Sequence, residues 1–489
     1  MASALPADAI LVEFVRFELF DFNAVPANGD IQWQPARYLA FVLPSGQPDA
    51  VQMIDLGSAQ VIDQLVWVFR LQASDYSKAT LGWGKADQLP KLPIKPYDSA
   101  PAIELSQVLV KPIYNALKGC KHLIFAPDGN LNLLPFQALP CDETNTRLLM
   151  DEFTISYLSV GRDILRRRSP PQGSQIPKLR PASTPLIIAD PDFDLAAEQT
   201  DTSGAIAFES PLAIVKQQSS NDEFINTLDG EVLSRTLGTR FLAESVAKKL
   251  PDARLYLGAE ALETHLTTSN CPSIMLIATH GLFLADSPQA PFQTMHLEVS
   301  KIENPMMRSG LALAGANTWL SGGILPPSAG KGFIFAQDIA SLDLWANELT
   351  VLSACDTARG DIKIGEGVFG LRRAFAVAGT KTLVMSLWKV PDQATALLME
   401  RFFNNLDLNM GRAEALQNAQ NYIRKITVKE LRKSALGIEV LKQLLHVFDL
   451  LADTEIDCHE SDTPLEHPFY WGAWICQGDT TRMHNFKSI

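Results

Sequence analysis

The chain lacks several features that would assign it a function at once. It has no C-x-x-C pair: six cysteines, Cys120, Cys141, Cys271, Cys355, Cys458 and Cys476, are scattered over 489 residues. That scatter argues against a disulfide framework and against a zinc knuckle. Positive charge is also in short supply. The formal net charge is -13, which disfavours nucleic acid, because a phosphate backbone needs a concentrated basic face. No apolar run reaches the ~20 residues of a membrane span. The N-terminus has no basic segment followed by an apolar one, so no secretion leader is read there and a cytoplasmic location is expected. No 34-residue helical repeat is visible. Neither a metal nor a cofactor is expected.

What is present is an ordinary soluble composition, 46% hydrophobic and 20% charged, on a chain long enough for two to four domain-sized units or one large α/β body. Two runs stand out. Ser273–Gly281 and Leu349–Thr357 are each apolar and rich in bulky residues, and each stops at a polar, reactive group. Such runs read as buried parallel strands. In an open parallel sheet, function gathers at the carboxyl edge of the strands. His280 and Cys355 would be delivered to that edge, 355 − 280 = 75 residues apart, which leaves room for a crossover.

The flanking pattern supports an α/β chain. Ile10–Phe17, Arg37–Leu43, Val51–Leu56 and Lys121–Phe125 read as strands, and Ser58–Ala73 and Pro101–Leu117 as helices. Residues 169–183 are rich in Pro, Gly, Ser and Gln and read as a linker. Residues 1–175 are therefore expected to form an N-terminal α/β subdomain and 176–489 a second, catalytic one. In the second part, strands are expected at Pro185–Ala189, Arg254–Leu257, Ser273–Ala278, Glu348–Leu352 and Thr380–Leu387. A hairpin is expected from Thr294–Val299 and Ser309–Ala314. Helices are expected at Asp222–Leu237, Ala243–Leu250, Glu260–Thr267, Gln337–Ser341, Glu366–Ala378 and Pro391–Asn404. Phe193–Asn221 and Gly315–Gly332 read as mobile loops, and Val428–Asp453 as one long amphipathic helix, for core packing or for docking. The alternation predicts a mostly parallel sheet with helices on both faces.

Each reactive residue alone has a plainer explanation. A histidine at a strand end is more often a packing residue, and a lone cysteine is usually a small buried hydrophobe. Cys458 with His459 reads as a solvated acidic loop rather than a metal site. It is the joint placement of His280 and Cys355 that points to chemistry. A thiol with a pKa near ~8.5 is mostly protonated at neutral pH, and a neighbouring imidazole makes it a nucleophile. No third member is evident from spacing.

Several motifs then carry a resemblance. Ala278-Thr279-His280-Gly281, Leu311-Ala312-Leu313-Ala314-Gly315-Ala316, Leu352-Ser353-Ala354-Cys355-Asp356-Thr357-Ala358, Gly365-Glu366-Gly367-Val368-Phe369-Gly370-Leu371 and Ser386-Leu387-Trp388-Lys389-Val390-Pro391-Asp392 resemble the CHAT family, caspase-like cysteine proteases related to separases. His467-Pro468-Phe469-Tyr470-Trp471-Gly472-Ala473-Trp474 is similar to that family's closing strand, and Ala126-Pro127-Asp128-Gly129 with Leu134-Pro135-Phe136 to its N-terminal portion. The resemblance implies a caspase-like α/β fold preceded by a pseudo-caspase-like subdomain. It also implies a cysteine endopeptidase with His280 as general base and Cys355 as nucleophile, and oxyanion donors at the backbone amides of Gly281 and Cys355. Protein or peptide substrates are implied, with an activator protein or an upstream repeat domain as partners. Bacterial defence or programmed death is the implied setting.

Asp356, Ser386, Trp388 and Asp392 are candidate pocket residues; a carboxylate there would select Arg or Lys. Asp392 could equally serve the start of the helix near Pro391, Asp356 a turn, and Trp388 the core. Loops near Lys331 and Lys363, and Arg166-Arg167-Arg168, are candidate processing sites. A silent caspase-like scaffold that binds a protein partner is the competing reading.

Overall fold

The computed structural model describes residues 1–25, 31–74, 99–142, 147–165, 181–197, 232–283, 305–307, 309–356, 365–447 and 459–483. Cys355 and Asp356 are described by their backbone. Arg166-Arg167-Arg168, Thr294–Val299, Lys363 and Cys458 lie outside the described residues. Thirteen strands are named in chain order: β1 Ala9–Phe17, β2 Arg37–Pro44, β3 Gln52–Ser58, β4 His122–Ala126, β5 Thr154–Tyr157, β6 Leu186–Pro191, β7 Arg254–Gly258, β8 Ile274–Phe283, β9 Ser309–Ala312, β10 Phe333–Phe335, β11 Leu349–Asp356, β12 Thr382–Ser386 and β13 Trp474–Gly478.

The chain divides into two compact units. One comprises Met1–Gln175 with Leu387–Lys487, the other Ile176–Ser386 with the last two residues. The sequence-based division had assigned 176–489 to one subdomain. In the structure, the last hundred residues group with the N-terminal part instead. Contacts made over several hundred residues of separation leave no local composition signal, which is why the linker was the only boundary visible in the chain.

In the first unit the strand order is β13-β5-β4-β1-β2-β3. The first three pairings are parallel and the last two antiparallel. Its core is knitted by buried amides. Gln137 Nε2 donates to the carbonyls of Gly472 (3.3 Å) and Trp474 (2.7 Å), and the Tyr157 hydroxyl donates to Gln137 Oε1. Gln420 Nε2 donates to the carbonyls of Trp471 (2.9 Å) and Trp474 (3.0 Å). These bonds satisfy main-chain groups that the two buried tryptophans would otherwise leave dry. The expected long helix over Val428–Asp453 is broken into Val428–Leu431 and Ala435–Val447. A capping box formed by Thr427 and Glu430 starts the first piece.

The second unit positions the reactive residues. β7, β6, β8, β11 and β12 lie side by side and all run parallel. Their apolar runs are buried from Leu186 to Ala189, Ile274 to Ala278 and Leu349 to Leu352, as strands covered on both faces require. The helix Gly365–Ala378 connects β11 to β12 and stops at Gly379, which adopts φ +109. That left-handed stop suits glycine. β9 pairs antiparallel with the end of β8 and with β10.

Three expectations are corrected in this unit. Val232–Thr236 is not helical, and the helix runs Leu237–Ala247 instead of breaking before Ala243. Phe193, assigned to a mobile loop, is fully buried with Ala312, Ala316, Phe333 and Phe335. The stretch Gly315–Gly332 is built around a helix, Ala316–Leu320, with Ala316 and Ala329 fully buried. Glycine and polar content suggested mobility at both places, but each segment has a few apolar residues that the neighbouring core absorbs.

Candidate active site

β8 and β11 are parallel neighbours whose register pairs Ala278 with Ser353, Thr279 with Ala354, His280 with Cys355 and Gly281 with Asp356. Paired positions share one face of a sheet, and neighbouring strands are only ~4.8 Å apart. The two residues that are 75 apart along the chain (355 − 280) are thus direct cross-strand partners near the carboxyl ends of two buried strands. Apolar packing below them fixes this register, since a one-residue slip would turn every buried side chain to the opposite face.

His280 is buried, with 6% of its surface exposed, and its ring is held from two sides. The Phe193 ring stacks on it with centroids 5.3 Å apart and planes at 26°. The Ser234 carbonyl lies 2.7 Å from Nε2. A carbonyl can only accept, so this contact assigns the proton to Nε2, and Nδ1 is then the basic nitrogen of the neutral ring. The group that meets the far edge of the imidazole is therefore a main-chain oxygen. It carries no side-chain signature and could not be found by motif.

The carbonyl sits on Val232–Thr236, a segment without regular structure that is tied to the end of β6. Arg235 grips the Asp190 carboxylate with two donors, Nε to Oδ1 at 3.2 Å and Nη2 to Oδ2 at 2.7 Å. Arg240 Nε adds a bond to Oδ2 at 2.9 Å. The Asp190 side chain is fully buried, while the two arginines are partly exposed. A buried carboxylate is tolerable only with such pairing. The Asp190 N–H donates to Thr239 Oγ1, whose hydroxyl donates to the Thr236 carbonyl. The available signal for Asp190 was that it ends an apolar run as His280 and Cys355 do.

The oxyanion candidates are both in the β8–β11 ladder. Gly281 pairs with Asp356 on one side and with Leu311 on the other. Among the pocket candidates, Ser386 closes β12 directly after Met385, the partner of Leu352, and is buried. Asp356 closes β11. Trp388 and Asp392 belong to the first unit. The Trp388 indole is buried and donates to the Phe469 carbonyl at 3.3 Å, which is the behaviour of a core residue. Asp392 opens the helix Asp392–Asp407, where a carboxylate complements the helix dipole. Among the described residues, no group of three or more His, Cys, Asp or Glu is gathered to hold a metal ion. No helix of the described residues is long and apolar enough to cross a membrane.

A model of the CHAT domain matches residues 99–479. Among solved structures, the chain is similar to the Saccharomyces cerevisiae separase–securin complex in two determinations. One gives 9% identity and a TM-score of 0.40, the other 8% and 0.42. Each match covers 98% of this chain and 30% of that one, so the chain spans under a third of that relative's length. It is also similar to the Arg specific cysteine proteinase gingipain R, with 10% identity and a TM-score of 0.33 over 86% of this chain and 74% of that one. No curated protein matches.

Proposed function

The chain belongs to the CHAT domain family, and from that premise we propose that it is a cysteine endopeptidase in which Cys355 attacks the peptide carbonyl and His280 is the general base. The observation that carries the reading is the register of β8 on β11, with Cys355 opposite His280. The Ser234 carbonyl supports it by keeping Nδ1 as the basic nitrogen. In the proposed reaction Nδ1 takes the thiol proton as sulfur bonds to the carbonyl carbon. The amides of Gly281 and Cys355 stabilise the oxyanion. The imidazolium then protonates the leaving amine, and water hydrolyses the thioester. Proton transfer of this kind contributes roughly 10²–10⁴-fold.

Proteins are the proposed substrates. The separase structure contains securin, and control by a protein partner is part of the proposal here, as is service in a bacterial defence or programmed-death pathway. The test is cleavage of a proteome-derived peptide library together with an irreversible thiol-directed peptide inhibitor. Wild-type protein is expected to cleave, and the inhibitor to label Cys355. Cys355→Ala abolishes both without unfolding the chain, and His280→Gln slows the labelling. Full cleavage by Cys355→Ala would overturn the assignment. An intact fold with no cleavage and no His280-dependent labelling would favour a binding scaffold.

A further inference from the structure

Ser234 is an exposed residue in a segment without regular structure, yet its carbonyl meets Nε2 of His280 at 2.7 Å. A main-chain oxygen in such a segment would ordinarily turn to water. Here it is flanked by two anchors, one on each neighbouring residue. On one side the Asn317 side chain behaves like a piece of strand. Its Oδ1 accepts from the Leu233 N–H at 2.9 Å, and its Nδ2 donates to the Leu233 carbonyl at 2.9 Å. The same Nδ2 reaches Asp194 Oδ1 at 2.8 Å. The Asn317 N–H donates to the Phe193 carbonyl at 2.8 Å. One residue therefore sets both the segment that meets the imidazole edge and the phenyl ring that stacks on its face.

On the other side Arg235 is locked by the fully buried Asp190 carboxylate through the two-donor grip described above. Asp190 itself adopts φ +47, a left-handed conformation that aspartate tolerates better than most side chains. A fully buried carboxylate held by two arginines is an expensive way to pack a strand end. Apolar side chains of similar volume would be cheaper. The arrangement does supply directionality, which apolar packing lacks, at the residue next to the carbonyl that His280 depends on.

We propose that Asn317 and Asp190 are positioning residues: together they clamp Leu233 and Arg235 so that the intervening Ser234 carbonyl is fixed on Nε2 of His280. The clamp keeps the imidazole in the tautomer whose Nδ1 can accept a proton, and keeps an acceptor ready for the Nε2 proton when the ring becomes cationic. Its catalytic consequence rests on the protease reading; the tautomer consequence does not.

The experiment compares wild type with Asn317→Ala, Asp190→Asn and Arg235→Gln. Long-range ¹H–¹⁵N spectra of histidine-labelled protein report the His280 tautomer, identified by loss of its signals in His280→Gln. Steady-state cleavage of a library-derived peptide gives kcat and KM. Wild type is expected to hold the Nε2–H form. The variants are expected to shift His280 toward a mixture of tautomers and to lower kcat by roughly 10–100-fold with KM changed less than about 3-fold, the scale of loss when a reacting group is misplaced. Arg235→Gln covers the case in which Asp190→Asn does not fold, because Arg240 still neutralises the buried carboxylate. A comparably destabilised variant in the first unit, Gln137→Leu, is expected to leave the tautomer unchanged. Folded variants that keep the wild-type tautomer and kcat would overturn the clamp while leaving the protease standing. A wild type that cleaves nothing, with the tautomer still shifting in the variants, would overturn the protease and leave the clamp.

Discussion

Acid is expected to weaken this fold through one particular histidine. His467 precedes the short turn Pro468–Tyr470, and its Nδ1 accepts the Phe469 N–H at 3.1 Å. Burial disfavours the charged ring and pushes its pKa from the usual 6.5 down to about 4. The unfolded chain therefore takes up a proton that the folded chain refuses. Stability is at its full value above the unfolded pKa and falls as the pH drops toward the folded one, below which the contribution is flat. The pKa difference, 6.5 − 4, corresponds to about 3 kcal/mol, of which about 2.5 kcal/mol is lost between pH 7.5 and 4.5.

The check is urea unfolding of wild type and His467→Asn across that range. Asparagine keeps an oxygen for the Phe469 N–H but cannot titrate, and the carboxylates common to both proteins cancel in the difference. The two stabilities are expected to converge, or their order to reverse, by about 2.5 kcal/mol as the pH falls. A difference that stays constant from pH 7.5 to 4.5 would refute the reasoning. It would mean that the imidazole is either wet or able to hold its proton in the folded state.

Other outcomes follow from single contacts. Gly332 has φ +70, and a Cβ there would lie 2.6 Å from the Ala316 amide nitrogen, so Gly332→Ala is expected to lower stability by roughly 2–4 kcal/mol in thermal melts; an unchanged melting temperature would contradict the close approach. Gln137→Leu removes the donor to the Gly472 carbonyl and the acceptor for the Tyr157 hydroxyl, with an expected cost of about 1–3 kcal/mol in urea unfolding. Burial pushes the thiol of Cys120 up to about 11 and that of Cys141 up to about 12. Brief iodoacetamide treatment at pH 7.5 should therefore alkylate Cys355 ahead of both, read by peptide mass spectrometry. Equal labelling of Cys141 would count against a specially reactive Cys355.

The strand ends were legible because burial of a parallel strand on both faces leaves a continuous apolar run in the chain, and a polar residue closing such a run is conspicuous. Ile274–Ala278 and Leu349–Leu352 announced themselves in this way, as did Leu186–Ala189 before Asp190. Phe193 was misread because one aromatic in a polar stretch makes no periodic pattern, although it is fully buried against His280. Val232–Thr236 was misread as part of a helix for the opposite reason. Its propensity is unremarkable, and its non-helical form is held by Asn317 and Asp190, which lie 84 and 45 residues away from the positions they bind.

Taken alone, the sequence determined that this is an α/β chain with CHAT motifs and that a histidine and a cysteine close two buried apolar runs. Those properties are local: hydrophobic run length, turn residues and motif spacing are all written consecutively. The tertiary structure decided which residues meet. It set the register that pairs His280 with Cys355, grouped Leu387–Lys487 with the N-terminal unit, and put the Ser234 carbonyl behind the imidazole. A main-chain carbonyl is chemically the same at every position, so only folding, by fixing its direction and its distance from a distant side chain, can give one of them a role.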